Sequence, residues 1–224
     1  MSKKVSLDKW AVVTDFDGTV VNIDISDTML IKFGYATKEE VENSCTQETL
    51  VEKWIQKVFS NFNVSQQKIA DFLSNEVVMR KGFDGVAKTC QSRELPIEIV
   101  SGGLDLYIEP LLKKWGLNWI PKYCAKTTQL NKGLKTDYWF LKNTTLEKFK
   151  ASRVAKMKSQ GYKVIFCGDG ASDFLAARRA DLVFSRYKLY DMCIKNNIGT
   201  YELIDFREIE EIISDGQVYA SDTN

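Results

Sequence analysis

Three short apolar runs in this sequence each end at a cluster of acidic, hydroxyl or glycine residues. The runs 10–13, 97–100 and 163–167 precede the segments DFDG, SGG and GDG. A short apolar run that stops at turn-forming residues is typical of a buried parallel strand, and residues 182–184 form a weaker fourth run. Since ligands bind beyond the carboxyl ends of parallel strands, we expect the three segments to meet at one edge of a sheet.

Helical periodicity fills the intervals between these runs. Apolar residues recur at spacings of three to four over residues 104–115, and shorter patterns of the same kind surround 154–157 and 174–177. Strands that alternate with helices indicate βαβ units with right-handed crossovers. We therefore predict an α/β fold, in which a Rossmann-like parallel sheet is flanked by helices. Residues 123–140 differ, and they predict a β-hairpin that turns at 131–133.

The interval between the first two strands is far longer than one crossover helix, at about 80 residues. Helical patterns cover 26–34, 38–59 and 65–79, and Ser65 is a good N-cap for the last of them. We predict that residues 24–82 form a small helical cap, with hinges near 22–24 and 80–83. Residues 1–23 and 83–224 would then form the core.

Composition removes several classes of chemistry. The chain has no histidine, which excludes Ser-His-Asp triads and histidine-ligated zinc sites. A formal net charge of +1 gives no reason to expect a nucleic acid or membrane partner. The chain also shows no signal peptide and no apolar stretch of transmembrane length. Five widely spaced cysteines favour a reducing compartment, which we expect to be the cytoplasm. They are Cys45, Cys90, Cys124, Cys167 and Cys193.

The first cluster pairs two carboxylates, Asp15 and Asp17, at a strand end. There they converge on a point where a divalent cation offsets their repulsion, and Gly18 and Thr19 can offer N–H and hydroxyl groups to an anion. An acidic turn with no ligand is the alternative for such a segment taken alone.

The other two clusters complete this pattern. Ser101 and Gly102 can form an anion cradle of hydroxyl and backbone N–H groups. Asp169 lies at the tip of the third strand, where it can complete a metal site, and Asp173 replaces the third glycine of a dinucleotide-binding fingerprint. Lys150 is expected near the start of a helix, either as a cation at the site or as a solvated surface residue.

Taken together and in order, these segments resemble the four motifs of the haloacid dehalogenase (HAD) superfamily of phosphatases. The matching residues are DFDGTV from Asp15, SGG from Ser101, Lys150, and GDGASD ending at Asp173. The insert between the first two motifs is similar to the cap of the phosphoserine-phosphatase-like branch. The stretches 71–83, 99–105 and 180–186 are similar to the methionine-salvage phosphatases, although the segment before Lys150 lacks the cysteines expected there.

The resemblance implies a role for each residue. Asp15 would attack phosphorus and form an aspartyl phosphate, and Asp17 would protonate the leaving group and then activate water. Mg²⁺ would be held by Asp15, the backbone carbonyl of Asp17 and Asp169, with Asp173 close by. Phosphoryl oxygens would be bound by Ser101, Gly102 and Lys150, with Thr19 near them.

Substrate choice is expected to depend on the cap, because the four motifs contact only what all phosphomonoesters share. The residues predicted to set it are Asp24, Phe33, Tyr35 and Arg80, with a hinge role as the alternative for Arg80. The expected partner is a small phosphorylated metabolite, and the protein would be a monomer or homodimer. Phosphoserine, other sugar or cofactor phosphates, phosphotransfer to another acceptor and a non-enzymatic scaffold remain alternatives.

Overall fold

A computed structural model describes residues 9–44 and 50–215 of the chain. Its described part contains a seven-stranded sheet in the order β4-β3-β2-β1-β5-β6-β7. The strands are β1 Trp10–Thr14, β2 Ile97–Leu104, β3 Lys122–Gln129, β4 Leu134–Asp137, β5 Lys163–Gly168, β6 Leu182–Ser185 and β7 Tyr201–Glu202. All neighbouring strands pair in parallel except β3 and β4. The predicted Rossmann-like α/β fold is confirmed.

Strand β1 lies in the middle of the sheet and brings the three predicted clusters together. All five of its residues are buried, as expected of a central parallel strand covered on both faces. It pairs with β2 through Val12 and Ile97, and with β5 through Trp10 and Lys163. The carboxyl ends of β2, β1 and β5 are therefore side by side.

The described helices lie between these strands in the chain or, for the last helix, after them. They are α1 Ile25–Lys32, α2 Lys38–Glu42, α3 Val51–Phe59, α4 Gln66–Glu76, α5 Phe83–Ser92, α6 Asp105–Lys114, α7 Leu146–Ser159, α8 Phe174–Ala177, α9 Tyr187–Lys195 and α10 Arg207–Asp215. A 3₁₀ turn, Ala171–Asp173, precedes α8. Sequence periodicity did not identify α5, α9, α10 or the two-residue β7.

The single helix predicted over 38–59 is wrong, because α2 ends at Glu42. A capping box at Thr37 and Glu40 starts α2. Asn43 and Ser44 then form a turn in which the Ser44 amide and hydroxyl both bond to the Val41 carbonyl. Asn and Ser favour such turns because their side chains compete for backbone hydrogen bonds. Helix α3 begins afresh at Val51.

The segment that enters the insert and the segment that leaves it pair with each other. Val21 and Met79 form an isolated antiparallel bridge, and the amide of Arg80 donates to the carbonyl of Val20. We propose residues 24–82 as the cap on the basis of this pairing at its two ends. The apolar side chains of the insert join those of the sheet in one continuous cluster, which includes Met29, Phe59, Phe72, Phe83 and Ile108.

The hairpin and the second cluster test two more local predictions. The hairpin is confirmed, since β3 and β4 are antiparallel and the Leu130 amide donates to the Gly133 carbonyl across the turn. The second cluster was expected to follow its strand, but β2 continues through it to Leu104. An irregularity in the register with β3 between Val100 and Leu104 lets the chain stay extended there.

Two further observations concern the described residues as a whole. Within residues 9–44 and 50–215, the helices are too short or too polar to cross a membrane. Four cysteines are buried there as free thiols, namely Cys90, Cys124, Cys167 and Cys193. Cys45 lies outside the described residues.

A buried ion pair fixes α7 on the sheet. The guanidinium of Arg153 makes two hydrogen bonds to the carboxylate of Glu98 on β2, and the Nε bond is 2.7 Å long. The same guanidinium lies over the ring of Tyr123 at 4.7 Å from its centroid. This contact is one of those that hold α7 on the sheet, one turn after Lys150.

We expect Arg153→Ala to lower the free energy of unfolding by about 3 kcal/mol, because it leaves the Glu98 carboxylate buried without its partner. Urea denaturation followed by circular dichroism measures the change. Lys156→Ala, at an exposed position of the same helix, is the control and should change stability by less than about 0.5 kcal/mol. Equal effects of the two variants would contradict the role given to the pair.

Candidate active site

Three carboxylates meet where β1 and β5 end. Oxygens of Asp15, Asp169 and Asp173 all lie within 4.8 Å of one another. The ammonium of Lys150 reaches this group from α7, 2.6 Å from Asp15 Oδ2 and 2.7 Å from Asp173 Oδ1. Lys150 is fully buried, so the alternative of a solvated surface lysine is wrong.

Glycine allows the first turn to approach this group closely. Gly18 has a φ of +64°, and a Cβ there would lie 2.1 Å from Asp169 Oδ2. The hydroxyl of the next residue, Thr19, donates to Asp169 Oδ1 at 3.3 Å and is buried. Thr19 was predicted near an anion, but its described contact holds the Asp169 carboxylate instead.

The third cluster folds back on itself around Asp173. The amides of Asp169 and Gly170 donate to Asp173 Oδ2 at 3.1 and 3.0 Å. A Cβ on Gly168 would lie 2.6 Å from the Asp173 carboxyl carbon. Asp173 is therefore held in place by the loop that also carries Asp169.

Asp17 has a different environment from Asp15. Its Oδ1 accepts from the Ile25 amide at 3.1 Å, and its Oδ2 accepts from the hydroxyl of Tyr107 at 2.7 Å. Ser101 Oγ lies 3.5 Å from the same Oδ2. Burial, followed by the charge of Asp24, raises the pKa of Asp17 well above its ordinary value. Burial also raises the pKa of Tyr107, so the phenol keeps its proton.

The charges around Asp15, Asp169 and Asp173 indicate whether a cation can bind between these three carboxylates. Burial raises the pKa of Asp173 to about 6, although Lys150 opposes that shift. Burial and the charges of Asp15 and Asp173 raise the pKa of Asp169 well above its ordinary value. Burial works against the charge of Lys150, but the two carboxylates outweigh it and raise its pKa. An excess of buried carboxylate oxygen, without nitrogen or sulfur donors, fits a hard divalent cation.

A cleft of about 170 Å³ opens over the carboxylates. Its lining combines the three clusters with acids and apolar side chains of the insert. The described lining residues are Asp15, Asp17, Asp24, Ser26, Asp27, Val51, Trp54, Ile55, Ser101, Gly102, Gly103, Asp169, Gly170, Ala171, Ser172 and Lys188.

Asp24 is the one predicted specificity residue that lies in this lining. Its carboxylate also caps α1, accepting from the Asp27 amide at 2.9 Å. Although Asp24 is exposed at the edge of the cleft, desolvation of its carboxylate raises its pKa to about 6. Desolvation together with the charge of Asp24 raises the pKa of Asp27 to about 8.

The other three predicted specificity residues are placed elsewhere. Phe33 packs edge-on against Phe62, and the hydroxyl of Tyr35 accepts from the Asn63 amide. Both rings thus belong to the apolar interior of the insert. Both residues were predicted because they belong to the insert. Their position in the sequence, just after the end of α1, does not determine whether their side chains face the cleft or the interior.

Arg80 binds the backbone of the first turn. Its Nε donates to the Thr19 carbonyl and its Nη2 to the Gly18 carbonyl, both at 2.7 Å. Longer bonds reach the carbonyls of Val21 and Ile204. A guanidinium satisfied by carbonyls in this way supports the turn rather than contacting the cleft, and among residues 9–44 and 50–215 Arg80 forms no salt bridge of the predicted hinge type.

Sequence reasoning missed the apolar wall of the cleft. Val51, Trp54 and Ile55 recur at spacings of three and four on α3, which is the pattern of one helix face. This apolar pattern is visible in the sequence, but an apolar stripe on a helix more often packs into the core than lines a cleft. Tyr107 was missed because no spacing rule connects it to Asp17.

The geometry above can be compared with known proteins. The sequence pattern of haloacid dehalogenase-like hydrolases matches residues 12–178, which include every carboxylate of the group and Lys150. The chain belongs to the haloacid dehalogenase-like hydrolase family.

Relatives of similar length agree with this membership. A 2-hydroxy-3-keto-5-methylthiopentenyl-1-phosphate phosphatase of Lysinibacillus sphaericus (strain C3-41) is 27% identical over 214 residues, covering 91% of this chain and 93% of that protein. A phosphatase of the same name from Bacillus cereus (strain ATCC 10987 / NRS 248) is 28% identical over 208 residues, covering 89% and 93%. The family and these relatives make this haloacid dehalogenase-like protein a phosphomonoester hydrolase.

Solved structures share the fold. A phosphoserine phosphatase in the form of a phospho-aspartyl intermediate analogue has a TM-score of 0.67 at 20% identity, over 92% of this chain and 99% of its own. A substrate-bound phosphoserine phosphatase has a TM-score of 0.69 at 20% identity, over 92% and 98%. At this level of identity, the likeness to these two structures shows that the fold is shared, for the haloacid dehalogenase-like core and its insert.

We expect Arg80→Ala to reduce kcat/KM about tenfold on the best metabolite and equally on p-nitrophenyl phosphate, because a loosened first turn affects every ester. Asp24→Ala, which alters the cleft wall, should change the two substrates by different factors. Steady-state kinetics on both substrates measures this. Arg179→Ala, at an exposed position, should change neither. A loss confined to one substrate for Arg80→Ala would assign it to substrate choice.

Proposed function

We propose that this chain is a Mg²⁺-dependent phosphatase of a small metabolite that works through an aspartyl phosphate on Asp15. The observation that carries the proposal is the contrast between its two neighbouring carboxylates. Asp15 Oδ2 is paired with a buried ammonium, whereas Asp17 is held by neutral donors outside the three-carboxylate group. Two acids with opposed environments are typical of a division into nucleophile and acid-base catalyst.

In the first step, Asp15 is the nucleophile. A carboxylate oxygen of Asp15 forms a bond to phosphorus while the bond between phosphorus and the leaving oxygen breaks. The carboxyl of Asp17 gives its proton to that leaving oxygen, which departs as an alcohol or enol. Lys150 orients the Asp15 carboxylate through its 2.6 Å contact.

In the second step, water replaces the aspartyl group. The Asp17 carboxylate takes a proton from water as the water oxygen bonds to phosphorus, and the bond to Asp15 breaks to release phosphate. Ser101 and Gly102 lie in the cleft lining, where a hydroxyl and an amide can bind the phosphoryl oxygens. Ser101 accepts from the Gly103 amide at 2.9 Å, which fixes its hydroxyl oxygen.

The proposed metal ligands are Asp15, Asp169 and the backbone carbonyl of Asp17, with Asp173 beside them. When bound, Mg²⁺ would neutralise phosphoryl charge and polarise the phosphorus centre. Asp173 supports this set by accepting from the Asp169 amide and by pairing with Lys150.

The proposed substrate is the enol phosphate named in the relatives, 2-hydroxy-3-keto-5-methylthiopentenyl-1-phosphate. By its name this ester has a methylthio group at the end opposite the phosphate and no charge besides the phosphate. The apolar side chains of Val51, Trp54 and Ile55 suit that end, while the acids Asp24 and Asp27 are available to its hydroxyl and keto groups. Phosphoserine carries an ammonium, which these acids would attract, and also a carboxylate, for which the described lining residues of the insert supply no cation.

A cytoplasmic location belongs to the same proposal. It rests on the four free, buried cysteines and on the metabolite nature of the substrate. We propose a monomer or homodimer that acts on this small metabolite without nucleic acid or membrane.

The proposed function is tested by turnover of the enol phosphate, phosphoserine, a sugar phosphate and p-nitrophenyl phosphate with Mg²⁺. We expect the highest kcat/KM for the enol phosphate, release of inorganic phosphate, and loss of activity with a chelator that added Mg²⁺ restores. Phosphoserine as the best substrate would overturn the substrate assignment. Transfer of phosphate to an added alcohol would indicate a phosphotransferase, and full activity with chelator would exclude the metal.

Asp15→Asn should lower turnover about a thousandfold or more while the circular dichroism spectrum stays native, since an amide is a poor nucleophile and ligand. Asp17→Asn should leave KM close to that of the parent and reduce kcat about a hundred- to ten-thousandfold. Rapid-quench detection of acid-precipitable phosphate on the protein distinguishes the two. Substantial Mg²⁺-dependent turnover by Asp15→Asn would contradict the mechanism.

A further inference from the structure

A buried tyrosine, Tyr107, is hydrogen-bonded to the Asp17 carboxyl group. Tyr107 lies in the first turn of α6, and its side chain is fully buried. Its hydroxyl is 2.7 Å from Asp17 Oδ2 and 2.9 Å from Ser26 Oγ. Ser26 belongs to the cleft lining, so a chain of hydrogen bonds runs from the cleft wall through Tyr107 to Asp17.

The direction of this chain follows from chemistry. The phenol of Tyr107 donates its one proton to Asp17 Oδ2, so its oxygen is left to accept from Ser26 Oγ. The Ile25 amide donates to the other oxygen, Asp17 Oδ1, at 3.1 Å. With one donor on each oxygen, the plane of the Asp17 carboxyl group is fixed from two sides.

The backbone is shaped around this hydrogen bond. A Cβ on Gly103 would lie 2.2 Å from the Tyr107 oxygen and 2.4 Å from Asp17 Oδ2. Gly103 has no positive φ, so space rather than backbone conformation requires glycine at this position. The second glycine of the SGG segment is therefore explained by the contact between Tyr107 and Asp17.

We propose that Tyr107 is the positioning residue of the acid-base carboxyl Asp17, with Ser26 as its second support. The inference rests on the proposed function, in which Asp17 protonates the leaving oxygen. As the bond from phosphorus to that oxygen breaks, the Asp17 O–H bond breaks and the new O–H bond forms on the leaving group. Tyr107 keeps its own proton throughout and holds the carboxyl in line with the leaving oxygen.

The test uses the dependence on leaving group. An alkyl phosphate such as glycerol 2-phosphate needs its leaving oxygen protonated, whereas p-nitrophenol departs as a stable anion. We expect Tyr107→Phe to lower kcat/KM roughly ten- to a hundredfold on glycerol 2-phosphate and less than about threefold on p-nitrophenyl phosphate. The parameter kcat/KM reports the steps up to phosphoryl transfer, so slow hydrolysis of the aspartyl phosphate does not mask the difference. Equal losses on both esters would overturn the proposal.

A double-mutant cycle shows whether Tyr107 acts through Asp17. In an Asp17→Asn background, Tyr107→Phe should cause no further selective loss on glycerol 2-phosphate. A full additional loss there would overturn the proposal. Tyr162→Phe removes the hydroxyl of a half-buried tyrosine outside the cleft and should leave both substrates unchanged.

Two outcomes separate this inference from the proposed function. If Asp17→Asn discriminates between the two esters and Tyr107→Phe does not, the role of Tyr107 fails while the proposed function stands. If Asp17→Asn shows no discrimination, the acid role of Asp17 fails, and the inference fails with it. Should Tyr107→Phe not fold, Ser26→Ala decides, with a smaller selective loss expected on glycerol 2-phosphate and an equal loss or no loss overturning the proposal.

Discussion

The site depends on one buried ion pair network, in which the Lys150 ammonium lies between the carboxylates of Asp15 and Asp173. All three side chains are nearly or fully inaccessible to solvent, so each charge relies on its partners rather than on water. Removing one member of such a group costs on the order of 3–5 kcal/mol, because it leaves the others uncompensated. Lys150 offsets one negative charge of the three-carboxylate group, and this remaining imbalance is what a divalent cation would correct. The position of α7, set by Arg153 and Glu98, is therefore as important to the site as its acids.

Three glycines of the motifs lie directly against carboxylates. A Cβ on Gly18, Gly103 or Gly168 would come within 2.1 to 2.6 Å of an atom of a neighbouring side chain. Gly18 is the one of these three that also has a positive φ. At Gly103 and Gly168 the requirement is close approach, which packs acids and backbone amides together without water between them. This packing gives Asp17 and Asp173 their fixed orientations, and it also produces the burial that raises their pKa values.

Much of this arrangement could be predicted from the sequence, because it depends on strand ends. Apolar runs followed by Asp15, Ser101 and Asp169 gave the parallel sheet and the edge at which these residues meet. The insert was less predictable. Its residues reach the cleft through the faces of short helices, and a break after Glu42 changes which face is presented. Asp24 lies in the cleft lining, and it is close to the first motif in the sequence, four residues after Val20. Phe33, Tyr35 and Arg80 lie outside the described cleft lining, and their contacts with Phe62, the Asn63 amide and the carbonyls of Gly18 and Thr19 depend on tertiary packing.

Helix α3 connects the cleft wall to the elements proposed to bind phosphate. Glu52 is buried and accepts from the Leu146 amide at the start of α7, four residues before Lys150. A Cβ on Gly102 would lie 3.1 Å from Val51 Cγ1 and 3.0 Å from Leu146 Cδ2, so α3 and α7 both pack against that glycine. Val51 also lines the cleft beside Trp54 and Ile55. The side chains that would contact the leaving group therefore share a helix with those that support the phosphate-binding end. Because packed interiors transmit small shifts rather than absorb them, a change in this wall would alter both the fit of the proposed leaving group and the position of Lys150.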